Sequence, residues 1–130
     1  MPKPPLPDEL LEVLAKPSPS VISTLRSDGS PVTTATWYLW DDGQVLVNMD
    51  ESRRRLAHMR RDPRVSITVL DEDWYRHISL LGRVVRLEDD DGLVQIDRLA
   101  QHYRGTPYPV RDRKRVSGWI EVERWHAWGP

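Results

Sequence analysis

The residues best equipped for chemistry stand together in SRRRLAHMRRDPR, residues 52–64, which holds six arginines and one histidine. Guanidiniums carry a permanent charge and a fixed fork of donors, so their chemistry is the binding of phosphate or carboxylate. A helix is predicted to begin at Ser52, whose hydroxyl can accept a bond from a first-turn amide, and to stop at Asp62-Pro63. Arg53, Arg54 and Arg55 then fill its first turn. The helix dipole disfavours cations there by roughly 0.3–1 kcal/mol each. Such a helix start is self-repelling until an anion sits on it, and a phosphate or carboxylate would satisfy amides and charges together. The alternative is a solvated basic face, partly neutralised by Asp50 and Glu51.

The rest of the composition removes whole classes of chemistry. Lys+Arg 19 against Asp+Glu 20 gives a net charge of -1, so the basic cluster is local and no nucleic-acid partner is expected. Without cysteine there is no disulfide, no thiol nucleophile and no cysteine-ligated metal. His58, His77, His102 and His126 lack HxxxH-type spacing, and no metal site is expected from them. No apolar run approaches the roughly 18 residues of a membrane span, and no signal-peptide pattern opens the chain. A soluble, cytoplasmic protein without a membrane partner is the expectation.

Elements to position the cluster can be read in order. A Pro-rich leader, 1–7, is expected to be loosely held, and Asp8 to cap a helix over 8–16. Residues 20–26 alternate and read as a strand; SDGS is a hairpin turn, and 32–40 (VTTATWYLW) read as one second strand. Asp41-Asp42-Gly43 turns into a third strand over 44–49. After the basic helix come a strand over 65–70 and a long one over 74–88, with a bend at Gly82. A third helix follows 89–92 and runs to Tyr103, and 116–128 form the closing strand. One domain, 1–130, of about six mostly antiparallel strands and three helices predicts a small β-barrel with flanking helices rather than a doubly wound sheet. No GxGxxG or P-loop follows any strand.

The succession of the SDGSP turn, TTATWYLW, the DDG turn, VLVNMD and SRRRLAHMRRDPRV, with the later LLGRVVRLE and LAQHYRG segments, resembles the pyridoxamine-phosphate-oxidase-like split β-barrel flavoproteins. The likeness is greatest to their actinobacterial branch of small oxidoreductases that use the deazaflavin coenzyme F420. It covers nearly the whole chain. Its most specific part is the pattern carried by Arg53, Arg55, His58, Met59, Arg61, Asp62, Pro63 and Arg64.

The resemblance implies a homodimer with the cofactor in a cleft between subunits. It implies that Arg53 and Arg55, opening the helix beside Ser52, meet the cofactor phosphate, and that Thr33, Thr34, Ala35 and Thr36 lie beside the ring, with Asn48 and Met49 at its edge. Arg60 and Arg61, two turns on along the helix, are the candidates for the acidic tail of F420, with salt-bridge duty as the equal alternative. Hydride would pass between the deazaflavin and a small unsaturated substrate. Trp37, Trp74, Trp119, His77 and Tyr108 are the aromatic candidates for the substrate pocket, against core packing or a dimer interface as their default. Tyr38, Tyr103, Tyr108, His77 and His126 are the candidate proton donors, with no catalytic residue singled out. Two alternatives stay open: an FMN-dependent enzyme of the same fold, and a non-catalytic flavin, deazaflavin or haem binder with His126 as its axial candidate.

Overall fold

The computed structural model describes residues 1–129. Three α-helices and seven strands make it up: α1 (Asp8–Ala15), β1 (Ser20–Leu25), β2 (Pro31–Ala35), β3 (Leu39–Asp41), β4 (Gln44–Asp50), α2 (Arg54–Arg61), β5 (Arg64–Leu70), β6 (His77–Asp89), α3 (Val94–Arg104) and β7 (Arg115–Trp128). All strands belong to one antiparallel sheet in the order β2-β1-β5-β6-β7-β4-β3.

That order and one short connection force the sheet to curl. β2 and β3 are its two edges, and six inter-strand steps of about 4.8 Å would separate them by roughly 29 Å in a flat sheet. Yet only Thr36, Trp37 and Tyr38 join them. Four Cα steps span at most about 14 Å. The edges are therefore drawn toward each other, and the sheet becomes an open, split barrel. The expected single strand over 32–40 is in fact two, because here the chain leaves the ladder to cross from one edge to the other. Side chains replace the lost ladder bonds: the Tyr38 amide donates to the Tyr103 hydroxyl at 3.3 Å, and the Ser20 hydroxyl donates to the Thr36 carbonyl.

The barrel interior follows from alternation. Val65, Ile67 and Val69 on β5 and Ile78 and Leu80 on β6 point inward, and the intervening residues do not. β4 is buried on both faces: Val45, Val47 and Met49 enter the main core while Leu46 and Asn48 face the opposite way. This is why its buried interior, Val45–Met49, is apolar at every position but one, and why Asn48 is conspicuous in it. α1 closes one side with Leu10, Val13 and Leu14. Its first helical residue is Asp8, with Pro7 before it and no side-chain cap, so Asp8 enters the first turn instead of capping it. The leader lies against β7, where Trp125 donates from its amide to the Pro2 carbonyl and from its indole to the Lys3 carbonyl.

Two expectations about β6 resolve differently. Trp74, Tyr75 and Arg76 are outside the strand, because the carboxylate and carbonyl of Asp73 hold them in a turn through the Tyr75 and Arg76 amides. Gly82 does mark an irregularity, since the pairing of β6 with β7 shifts between Leu81 and Gly82. A Cβ at Gly82 would run into the Glu121 carbonyl and come within 2.9 Å of Ile120 Cγ2. Backbone cannot yield there as a flexible side chain would. Gly82→Ala should therefore cost about 2–3 kcal/mol in urea denaturation through overpacking; a loss below about 0.5 kcal/mol would contradict the close approach of β6 and β7.

Candidate functional site

The open side of the barrel holds a cleft of about 1230 Å³, above the usual range for small-ligand pockets. β1, β2, the β2–β3 crossing, the end of β4, α2, α3 and the loop before β7 all contribute to it. Its charge is one-sided. Arg26, Arg53, Arg54, Arg55, Arg61 and Arg115 line it, against the single carboxylate of Asp50. None of those six arginines has a carboxylate partner among the described residues. Asp50 is already taken: Arg113 grips it with two bonds of 2.7 and 2.9 Å, and Ser52 adds its amide and hydroxyl, which together hold the carboxyl far below the usual carboxylate range. The cleft is cationic although the chain as a whole is not.

The start of α2 is organised differently from expectation. The helix begins at Arg54 with Arg53 as its N-cap, and no side chain caps it. Ser52 is not the cap because its hydroxyl donates to Asp50 Oδ1 at 2.7 Å. The first-turn amides thus keep the positive end of the helix open toward the cleft. His58, one turn on, ties the helix to the sheet through a 2.9 Å bond between its Nδ1 and the Thr24 hydroxyl.

Arg55 is the centre of the site. Its Nη2 donates to the main-chain carbonyl of Asn48 at 3.1 Å, while its Nε is buried with no partner. Burial, with Arg53 and Arg115 as like-charged neighbours, lowers its guanidinium to about 10. A half-buried cation in that setting favours any anion brought to it.

Asn48 is a positioning residue. Only 4% exposed, it spends its whole amide internally: Oδ1 accepts from Arg115 Nε at 2.7 Å, and Nδ2 donates to Ser117 Oγ at 2.9 Å and Asp90 Oδ2 at 3.1 Å. Asp90 in turn accepts the amides of Gln95 and Ile96 at the start of α3. One side chain therefore links β4, β7 and α3 and holds one arginine by its amide and a second by its backbone.

Of the residues expected at the cofactor, Thr34, Ala35, Thr36, Asn48, Met49, Ser52, Arg53 and Arg55 line the cleft. Thr33 does not; it stands exposed on β2, outside the cleft lining. Arg60 is exposed outside the cleft, and Arg61, one residue on around the helix, lines it instead. Of the substrate-pocket residues, Trp37 and Tyr108 are present and three are not. Trp74 lies on the Asp73 turn at 66% exposure, and His77 pairs with Leu70 and Trp128 at the far ends of β5 and β7. Trp119 is buried beneath the Arg86 guanidinium, 3.8 Å from its ring centroid. Among the proton-donor candidates, Tyr38 is wholly buried with its hydroxyl on the Leu14 carbonyl, and His126 faces outward. The Tyr103 hydroxyl donates to the Ser18 carbonyl at 2.7 Å and is pushed up to about 12 by burial. Arg26 and Arg115 were missed. Arg115 belongs to the basic run RDRKR, and only the pairing of β7 with β4 reveals which of its members enters the cleft.

The family model described as pyridoxamine 5'-phosphate oxidase matches residues 6–129. A solved structure described as an F420 reductase superimposes with a TM-score of 0.85 at 23% identity, covering 93% of this chain and 98% of that one. A conserved hypothetical protein of Mycobacterium tuberculosis gives 0.78 at 26% identity, over 97% of this chain and 86% of its own. A putative pyridoxamine 5'-phosphate oxidase of Listeria innocua gives 0.72 at 17% identity, over 92% and 95%.

If Asn48 holds the cleft together, Asn48→Ala should lower stability by about 2–3 kcal/mol in urea denaturation, because Asp90, Ser117 and Arg115 lose buried partners at once. A loss under about 0.5 kcal/mol would show that the network carries little.

Proposed function

The chain belongs to the pyridoxamine 5'-phosphate oxidase family, and from that premise we propose that it is an oxidoreductase using coenzyme F420, which transfers a hydride between the deazaflavin and a small unsaturated organic substrate. The observation that carries this reading is Arg55, a half-buried guanidinium with a buried, unpartnered Nε beside an uncapped helix start. That is the donor set a phosphate would use.

The number of cations favours F420 over FMN. A single phosphate is served by Arg53, Arg55 and the first-turn amides of α2. Arg26, Arg54 and Arg61 also line the cleft, and they match an acidic tail, which F420 has and FMN lacks. Of the pair Arg60 and Arg61, it is Arg61 that lines the cleft. Its own Nη2 is steadied by a 3.0 Å bond to the Leu25 carbonyl.

When bound, the deazaflavin supplies the carbon that accepts or gives the hydride. This chain's residues do the rest. Thr34, Ala35 and Thr36 form the β2 wall of the cleft, and Asn48 keeps Arg55 and Arg115 in place. Trp37 and Tyr103, stacked on each other, give the cleft an aromatic wall. Tyr108 is the candidate proton donor, because its hydroxyl has no partner among the described residues, whereas those of Tyr38 and Tyr103 are committed. A cytoplasmic homodimer with the cleft at the subunit boundary completes the proposal; no helix among the described residues is long and apolar enough to cross a membrane.

Titration with F420 and FMN in parallel, followed by quenching of tryptophan fluorescence, tests the reading. F420 is expected to bind at least about tenfold more tightly than FMN, and Arg53→Ala and Arg55→Ala each to weaken it by at least about tenfold. Preference for FMN would move the protein to flavin chemistry. Binding of neither would overturn the cofactor site.

A further inference from the structure

One corner of the cleft is built for something other than a phosphate. Trp37 stacks on Tyr103 with ring centroids 5.3 Å apart and planes 11° from parallel, and meets Tyr108 edge-on at 6.2 Å. These rings are fixed from behind. Tyr103 is pinned through its hydroxyl to the Ser18 carbonyl and the Tyr38 amide, and the Tyr108 amide donates to Asp97 Oδ1 at 3.0 Å. Asp97 also holds Arg111 at 2.6 Å, which ties the whole loop down on α3.

Arg115 completes the corner. Its guanidinium lies over the Tyr108 ring, 4.8 Å from the centroid, and its Nε is fixed on Asn48 Oδ1. The other loop arginines are neutralised, Arg111 by Asp97 and Arg113 by Asp50. Arg115 has no carboxylate partner among the described residues, and its two Nη groups make no hydrogen bond there. Of the six arginines in the cleft it is the one stacked on an aromatic ring. A guanidinium held at Nε presents two parallel donors, which match the two oxygens of a carboxylate.

We infer that Trp37, Tyr108 and Arg115 form the substrate subsite, and that the substrate is a planar, conjugated molecule carrying a carboxylate. The rings take the flat conjugated part by stacking, and Arg115 takes the carboxylate. This assignment rests on the reading of the cleft as a redox-cofactor site, since it is the cofactor that gives the remaining cations their separate employment. Because Asn48 anchors both Arg55 and Arg115, the two anion-binding arginines are held at a fixed mutual distance. Asn48 thus sets the spacing between the cofactor and substrate charges.

The test uses trans-cinnamate and its uncharged amide as probes, titrated by calorimetry into the purified protein and its variants, with circular dichroism to confirm folding. Cinnamate should bind at least about tenfold more tightly than cinnamamide. Arg115→Gln should remove that preference, Arg115→Lys should restore part of it, and Trp37→Leu should weaken both probes. Arg53→Gln, which strips the cofactor site, should change cinnamate affinity by less than about threefold. Equal binding of the two probes, no detectable cinnamate binding, or loss of cinnamate in Arg53→Gln with retention in Arg115→Gln would each overturn the assignment. The outcome is independent of the F420 and FMN titrations, so failure of the cofactor reading and failure of this subsite are told apart.

Discussion

The structure turns on one half-buried guanidinium that has no counter-ion and whose Nε is buried without a partner. Arg55 reaches under the start of α2 to the main-chain carbonyl of Asn48 and leaves its Nε without a partner, with Arg53 and Arg115 adding like charge nearby. Burying a cation this way is costly in isolation, and a native chain tolerates it where something else supplies the negative charge. The surroundings supply none. The one carboxylate in the cleft is held by Arg113, and Ser52, which could have capped the helix, bonds to that carboxylate as well. A cationic, preformed site is the result, and groups perturbed by burial and like charge in this way cluster where ligands bind.

The barrel exists around that site in a mechanical sense. The short β2–β3 crossing curls a seven-stranded sheet until its edges face each other, which opens a cleft between elements far apart in sequence. β4 runs through the middle of the arrangement. Its inward residues join the hydrophobic core, and its opposite face carries Asn48, whose amide reaches β7 and Asp90, the acceptor of the first amides of α3. Core packing therefore fixes the register of β4 against β7, and that register sets which arginine of the 111–115 run meets Asn48. Positions that look interchangeable in a basic run are made unequal by the strand they sit on.

What could be read from the sequence divides along the same line. α2 with its arginines, the β-barrel class and the Gly82 irregularity rest on local patterns: an unusual helix start, alternation, and a glycine inside a strand. The break between β2 and β3 was not legible, because Thr36, Trp37 and Tyr38 are good strand formers and the bonds that hold the crossing, to Ser20 and Tyr103, come from distant residues. Nor was the role of Ser52, since its competing partner Asp50 is itself organised by Arg113, some sixty residues on. Trp74, His77 and Trp119 were nominated on residue type alone, and type does not say which end of the barrel a ring occupies. Arg115 needed the β4–β7 register before it could be told from Arg111 and Arg113.

The most direct test of the central claim is the thermal stability of the protein and of Arg55→Met, each with and without millimolar inorganic phosphate. Methionine fills much the same space without charge. If Arg55 is a half-buried cation waiting for an anion, the ligand-free variant is at least as stable as the native protein, and phosphate raises the midpoint of the native protein alone. If the variant is clearly less stable without phosphate, and phosphate stabilises both proteins equally, Arg55 is a structural residue and the anion site is elsewhere.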